Sequence, residues 1–316
     1  MKVYVAKRLL ALLPTVIGVI TLVFFMLRLA PGDPVQLLIP PDLPRAMEEE
    51  ALEEARARYG LDQPLYTQYY IYLSKMMRLD FGRSIRQNTL ITEDLRHRIP
   101  MTLQLGIVSM VLWILFGVSV GVISAVNRGN WIDSTAMFFA LAGVSMPSFW
   151  LGLLLMLVFG LHLGILPPSG YGGPIWTWEG LRHAILPLIT LSVGAAGLAR
   201  YTRSTMLDVI NEDYIRTARS KGLRERIVIY KHALRNALIP VVTILGMNFG
   251  YILGGAVIVE MIFAWPGVGR YLLSGIYSRD YPVVQAGVLM IATCFVLANL
   301  ATDLVYGVID PRIRYD

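Results

Sequence analysis

The chain has 316 residues, 55% of them hydrophobic and only 16% charged, with a mean hydropathy of +0.57. Soluble domains run to about 25% charged residues, so an ordinary soluble protein is excluded. One cysteine, Cys294, excludes an internal disulfide and a cysteine-based zinc site, and the basic balance (formal charge +6) in so apolar a chain more often reports basic cytoplasmic loops than nucleic-acid binding.

Crossing a hydrocarbon core of about 30 Å takes about 20 apolar residues in a helix. Six segments reach or approach that length: residues 9–29, 101–126, 136–161, 184–199, 237–263 and 283–309. The expected fold is therefore an all-α membrane protein with six transmembrane helices. Lys2, Lys7 and Arg8 precede the first segment as in a signal peptide, but the proline- and glycine-rich "APGDP" follows instead of a small-residue cleavage site. A retained helix is predicted there. The fourth segment is short, contains Pro187 and is rich in Gly and Ala, which suits a helix surrounded by other helices.

Orientation follows from Lys and Arg in the short loops. With the N-terminus inside, residues 1–8, 127–135, 200–236 and 310–316 carry 3, 1, 9 and 2 basic residues. The short outer loops, 162–183 and 264–282, carry only Arg182, Arg270 and Arg279. Both termini are then cytoplasmic. The chain divides into residues 1–30 (N-terminal segment and first helix), 31–100 (an extracytoplasmic loop region), and 101–316 (a core holding the other five helices and the cytoplasmic loop 200–236).

Within the outer loop, "AMEEEALEEARARYG" reads as a helix with acids leading, arginines following and Gly60 as its C-terminal cap. "PLYTQYYIYLSKMM" reads as a second, aromatic-rich helix lying on the membrane surface, under a partner, or packed over the bundle. Inside the membrane, Gly246, Gly250 and Gly254 recur every fourth residue, as do Gly117 and Gly121, and each set predicts a stripe where another helix approaches closely. Gln104, Asn248, Asn299 and Asp303 are polar groups at membrane depth, candidates either for lining a pathway or for bonding between helices.

No catalytic constellation is legible. His97, His162, His183 and His232 form no HExxH pair, and no Gly-Lys dipeptide exists to build a phosphate loop. Catalytic and metal sites are thus expected to be absent, and ATP, if used, must be bound by another chain.

The stretch "DYIRTARSKGLRERIVIYKHALRN", residues 213–236, holds seven Lys or Arg against two acids. Nucleic-acid binding, contact with anionic lipid and protein docking all use such stretches. Ile215, Ala218, Leu223, Ile227, Tyr230 and Leu234 follow near-helical spacing, and Gly222 interrupts them, predicting two short helices at an angle. A bent knob tethered between two membrane helices favours docking over a rod-like binder of lipid or nucleic acid.

This stretch resembles the cytoplasmic loop of bacterial ABC-importer permeases, whose motif centres on Glu-Ala-Ala and a following Gly. Ala218 and Gly222 match it, while Arg216 stands where the Glu is expected and Arg235 where the final Pro is expected. "YIRTARSKGL" and "HALRNALIP" are similar to the dipeptide and oligopeptide (peptide/nickel) subfamily, first-permease type. "APGDP", "YGLDQPL", "DFGRS", "SMPSFWLG", "FAWPGVGR", "RDYPVVQ" and "DPRIR" extend the resemblance along nearly the whole chain. Leu79, before Asp80, departs from the small residue expected there.

The resemblance implies a type I ABC-importer permease in a bacterial inner membrane. Its partners would be a second homologous permease, two cytoplasmic ATP-binding subunits carrying ATP and Mg, and an extracytoplasmic solute-binding protein. Tyr214, Arg216, Thr217, Ala218, Arg219, Gly222 and Leu223 would couple to an ATPase. The solute would be a di- or oligopeptide, with nickel, glutathione or another small solute as alternatives. A stand-alone channel or secondary transporter is the competing class; it would show intramembrane ionisable groups or inverted repeats.

Overall fold

The computed structural model describes residues 2–29, 44–58 and 60–309. These are almost entirely helical, and a lone antiparallel bridge between Arg83 and Leu90 is the only strand-like pairing among them. The helices are α1 (Lys2–Leu29), α2 (Arg45–Arg58), α3 (Leu65–Met77), α4 (Ile91–Val126), α5 (Trp131–Ser145) and α6 (Ser148–Leu155). They continue with α7 (Trp178–Leu191), α8 (Ala195–Ile210), α9 (Asp213–Ser220), α10 (Glu225–Ile227), α11 (Leu234–Ile262), α12 (Val268–Tyr277) and α13 (Tyr281–Ile309). "APGDP" and "DPRIR" lie outside the described residues.

Among the described residues, four helical stretches are long and apolar enough to cross a membrane: Ile91–Val126, Trp178–Ile210, Glu225–Gly246 and Tyr281–Ala301. Pro14–Leu29 is a shorter apolar helix. The expected third span is not one straight helix. It is a pair, α5 and then α6 with its wide-turn extension to His162, bent by 104°. Pro147 explains the break: proline pushes the residue before it out of helical geometry, and Met146 is extended at φ −91° and ψ 127°.

Close packing sorts the chain into two units. The first unit comprises Lys2–Met101 with Pro266–Cys294. Its core gathers Phe24, Tyr72, Met76, Ile91, Leu95, Tyr271 and Leu289 among others. The aromatic helix α3 packs on α1: the Phe24 and Tyr72 rings stack at 5.5 Å, and the Thr21 and Tyr69 hydroxyls lie 2.7 Å apart. Its other face, with Tyr66 and Tyr70, is exposed. Gly60 does cap α2, at φ +66°, its N–H donating to the Ala57 carbonyl at 3.1 Å.

Leu79 sits at φ +57°, where a side chain is strained and a small residue is favoured, which accounts for the expectation it violates. Just beyond, two of the sequence blocks meet. Asp280 of "RDYPVVQ" is 2% exposed and accepts from the Ser84 hydroxyl of "DFGRS" at 2.5 Å. It also accepts from the backbone N–H groups of Ile85 and Arg86, both at 3.2 Å.

The second unit comprises Thr102–Trp265 with the chain from Phe295 onward. Here the glycine pair on α4 meets α8. A Cβ on Gly117 would lie 2.7 Å from the Leu198 side chain, and one on Gly121 would lie 2.6 Å from that of Thr202. Gly250 on α11 similarly abuts Phe295 on α13, and Gly246 is buried. Among the described residues, Gly254 meets no helix of this chain: it is exposed, with no atom within 4 Å of a Cβ there. A four-residue repeat advances 400°, so the stripe drifts about 40° per step around the helix and its last member leaves the contact.

Candidate functional site

The basic stretch follows the end of α8 and is built from the short helix α9, a turn, and the helix beginning at α10. Ile215 and Ala218 of α9 are buried in a cluster with Val122, Met206, Val228, Ile229 and Ala233. That anchoring leaves the polar face of α9 outward. Lys221 and Gly222 then form the turn, with Gly222 at φ +74° and its N–H donating to the Arg219 carbonyl at 2.9 Å. This left-handed conformation is what a glycine supplies without strain.

The predicted bend at Gly222 is present, but the second half is not a separate short helix. From Glu225 the chain runs through α10 and a wide turn, Val228–Ala233, directly into α11. The predicted apolar stripe holds before the bend and, after it, only at Leu234, which packs against the same cluster. After it, Val228, Ile229 and Ala233 are buried, while Leu223, Ile227 and Tyr230 are 37%, 40% and 55% exposed. A left-handed residue resets helical phase, so a periodicity carried across Gly222 points to the wrong face.

The outward surface therefore mixes apolar and cationic groups. Tyr214 is 41% exposed, its hydroxyl accepting from Asn236 Nδ2 at 2.7 Å. Arg216 and Thr217 are exposed; Arg216 has only a loose 3.5 Å contact with Asp213, and the Thr217 hydroxyl donates to the Asp213 carbonyl. Arg219 reaches across the turn to Glu225, with a shortest contact of 2.7 Å, and that carboxylate raises the Arg219 guanidinium above its ordinary value. Arg224, Arg226, Ile227, Tyr230 and Lys231 line a shallow concavity beside it.

Behind this surface lies a polar anchor that sequence reasoning missed. Asp133, at the start of α5, is 4% exposed. It accepts from both Nε and the terminal nitrogen of Arg203 on α8 at 2.7 Å, from the Gly129 N–H at 2.9 Å, and from the Ser124 hydroxyl. One carboxylate thus ties together α4, α5 and α8. In the sequence, both charges look like loop residues, and a separation of 70 positions hides the pairing.

The four pathway candidates are not drawn together by hydrogen bonds among the described residues. Gln104 is half-buried and its Oε1 has no partner among them. Asn248 donates to its own helix, to the Ile244 carbonyl at 2.7 Å. Asn299 is half-buried on α13, and the side chain of Asp303 lies outside the described residues. A more deeply placed group was overlooked: Glu260, fully buried, accepts from the Thr102 hydroxyl at 2.5 Å. Its signal was available, since a carboxyl inside the apolar segment 237–263 is costly unless partnered.

Comparison with known proteins places these features in a family. Residues 117–315 match the binding-protein-dependent transport system inner membrane component, and residues 1–106 match the N-terminal region of such membrane components. The glutathione transport system permease protein GsiC of Escherichia coli (strain K12) is 45% identical over 313 residues, 99% of either chain. Its counterpart from Salmonella choleraesuis (strain SC-B67) is 44% identical over the same span. Among solved structures, an inward-facing MetNI methionine ABC transporter chain aligns with a TM-score of 0.57, covering 69% of this chain and 96% of that one at 19% identity. This likeness shows the fold. The chain belongs to the family of binding-protein-dependent ABC-importer inner-membrane permeases.

Proposed function

We propose that this permease forms, with a second homologous permease, the pathway through which a short peptide-like solute enters the cell. Glutathione, itself a small peptide, is the first candidate, ahead of ordinary di- and oligopeptides. The observation that carries this reading is the 44–45% identity to glutathione permeases along 99% of both chains. Nickel or another small solute is the alternative.

In this mechanism ATP and Mg are bound by two cytoplasmic subunits. The surface from Tyr214 to Lys231 seats in one of them, and an external solute-binding protein delivers the solute. Both termini lie in the cytoplasm with the basic stretch. Tyr214, Leu223, Ile227 and Tyr230 supply apolar contact, and Arg216, Arg224 and Arg226 supply charge complementarity and orientation. Two features support the transmission step. Gly222 sits in the turn, and the helix after it continues into α11, so displacement of the surface moves a membrane helix directly. Such coupling requires two states with different contacts.

The test is uptake of labelled glutathione into proteoliposomes holding the assembled importer, ATP and the cognate binding protein. Glutathione accumulation that unlabelled dipeptides fail to displace supports the glutathione reading. Accumulation of dipeptides instead moves the solute to the other peptides, and ATP-independent flux by this chain alone would return it to a channel or secondary transporter.

A further inference from the structure

The unit formed by Lys2–Met101 and Pro266–Cys294 contains a cavity of about 280 Å³ whose lining is unlike a packing defect. Three cationic side chains, Arg28, Lys75 and Arg83, border it against one acid, Asp80. Asp80 is already engaged by the Gly82 N–H at 3.1 Å. Arg28 is half-buried, and no carboxylate among the described residues neutralises its charge: Nε and one terminal nitrogen donate to the uncharged Gln68 amide at 3.0 and 2.8 Å. Its flat faces meet aromatic rings instead, Phe24 at 5.0 Å and Tyr281 at 5.7 Å. A partly desolvated guanidinium without a carboxylate is costly, and it keeps donors free for an incoming anion.

A second observation points the same way. Tyr72 lines the cavity, is 9% exposed, and its hydroxyl has no hydrogen-bond partner among the described residues. Burial raises this hydroxyl well above its ordinary value, so it stays protonated and available as a donor. An unmet buried hydroxyl beside an unneutralised cation is a pair of donors waiting for one acceptor.

We infer that this cavity binds an oxyanion, a phosphate or carboxylate group, held by Arg28 and the Tyr72 hydroxyl with Lys75 at the rim. Arg28 closes an apolar helix, so the phosphate of an anionic lipid and a free anion both have access to this chemistry. The site shares no residue with the basic surface at residues 213–231.

The experiment uses the full chain in nanodiscs, with two arms. In phosphatidylcholine discs, inorganic phosphate is titrated against chloride at matched ionic strength and thermal unfolding is followed. In the other arm, phosphatidylglycerol is added to the discs and its retention is counted by native mass spectrometry. Binding in either arm, weakened about fivefold by Tyr72→Phe and at least tenfold by Arg28→Gln, supports the inference and identifies the source. Tyr72→Phe also keeps the result interpretable if Arg28→Gln fails to fold. It removes an unsatisfied hydroxyl, so without ligand it leaves the unfolding temperature unchanged or higher, while shrinking the ligand-induced rise. Binding in neither arm, or binding indifferent to Tyr72→Phe, overturns it.

Discussion

Two charged regions of this permease use their charges in opposite ways. At the joint between "DFGRS" and "RDYPVVQ", one buried carboxyl, Asp280, is surrounded by donors from its own chain. At the basic surface of residues 213–231, most of the cations face outward, and Arg219 with Glu225 forms the closest ion pair there. The first arrangement is complete within the chain and belongs to its architecture. The second is incomplete, with apolar side chains exposed among the cations, and that combination is what a docking surface presents. Prominence of a charged motif in a sequence therefore says little about its role; what separates the two is whether the partners are supplied internally.

Substitutions break this contrast in order of expected size. Asp280→Ala strands the Ser84 hydroxyl and two backbone N–H groups, and we expect a loss of about 3 kcal/mol in unfolding free energy, read by thermal unfolding in detergent. Arg203→Met leaves the buried Asp133 carboxylate without its bidentate partner and is expected to cost about 2 kcal/mol in the same measurement, less than a fully enclosed pair because Arg203 remains partly exposed. At Gly222 an added Cβ meets no atom within 4 Å, so the main cost of Gly222→Val is backbone strain, about 1–2 kcal/mol. Its larger expected effect is functional: uptake per ATP falls while membrane insertion is retained. Gly222→Asn, which tolerates the left-handed region, should keep most of that coupling. Arg216→Ala, with no close partner, should change stability by less than about 0.5 kcal/mol and instead reduce the salt dependence of ATPase-subunit association.

What could be read from the sequence depended on the range of the interaction responsible. The apolar segments, the cap at Gly60 and the bend at Gly222 are local properties, and local rules recovered them. Pro147 carried the signal for the bent pair, but a hydropathy count ignores the direction of a helix. The face exposed after Gly222 was misassigned because periodicity does not survive a left-handed turn. Asp133 with Arg203, and Ser84 with Asp280, are pairings across 70 and 196 positions, which no local pattern encodes. For the candidate coupling surface, the motif located the segment, and only the packing of Ile215 and Ala218 separated the residues that anchor it from those that face outward.

The central claim, that the surface around Gly222 seats in an ATP-binding subunit, is tested most directly by site-specific photo-crosslinking in the assembled importer. A photoreactive residue would replace Leu223 or Tyr230, with Trp176, exposed on a different loop, as the control. The account predicts adducts to the ATP-binding subunit from positions 223 and 230 and none from 176. Adducts from 223 and 230 to lipid alone, with none to the ATP-binding subunit, would contradict it.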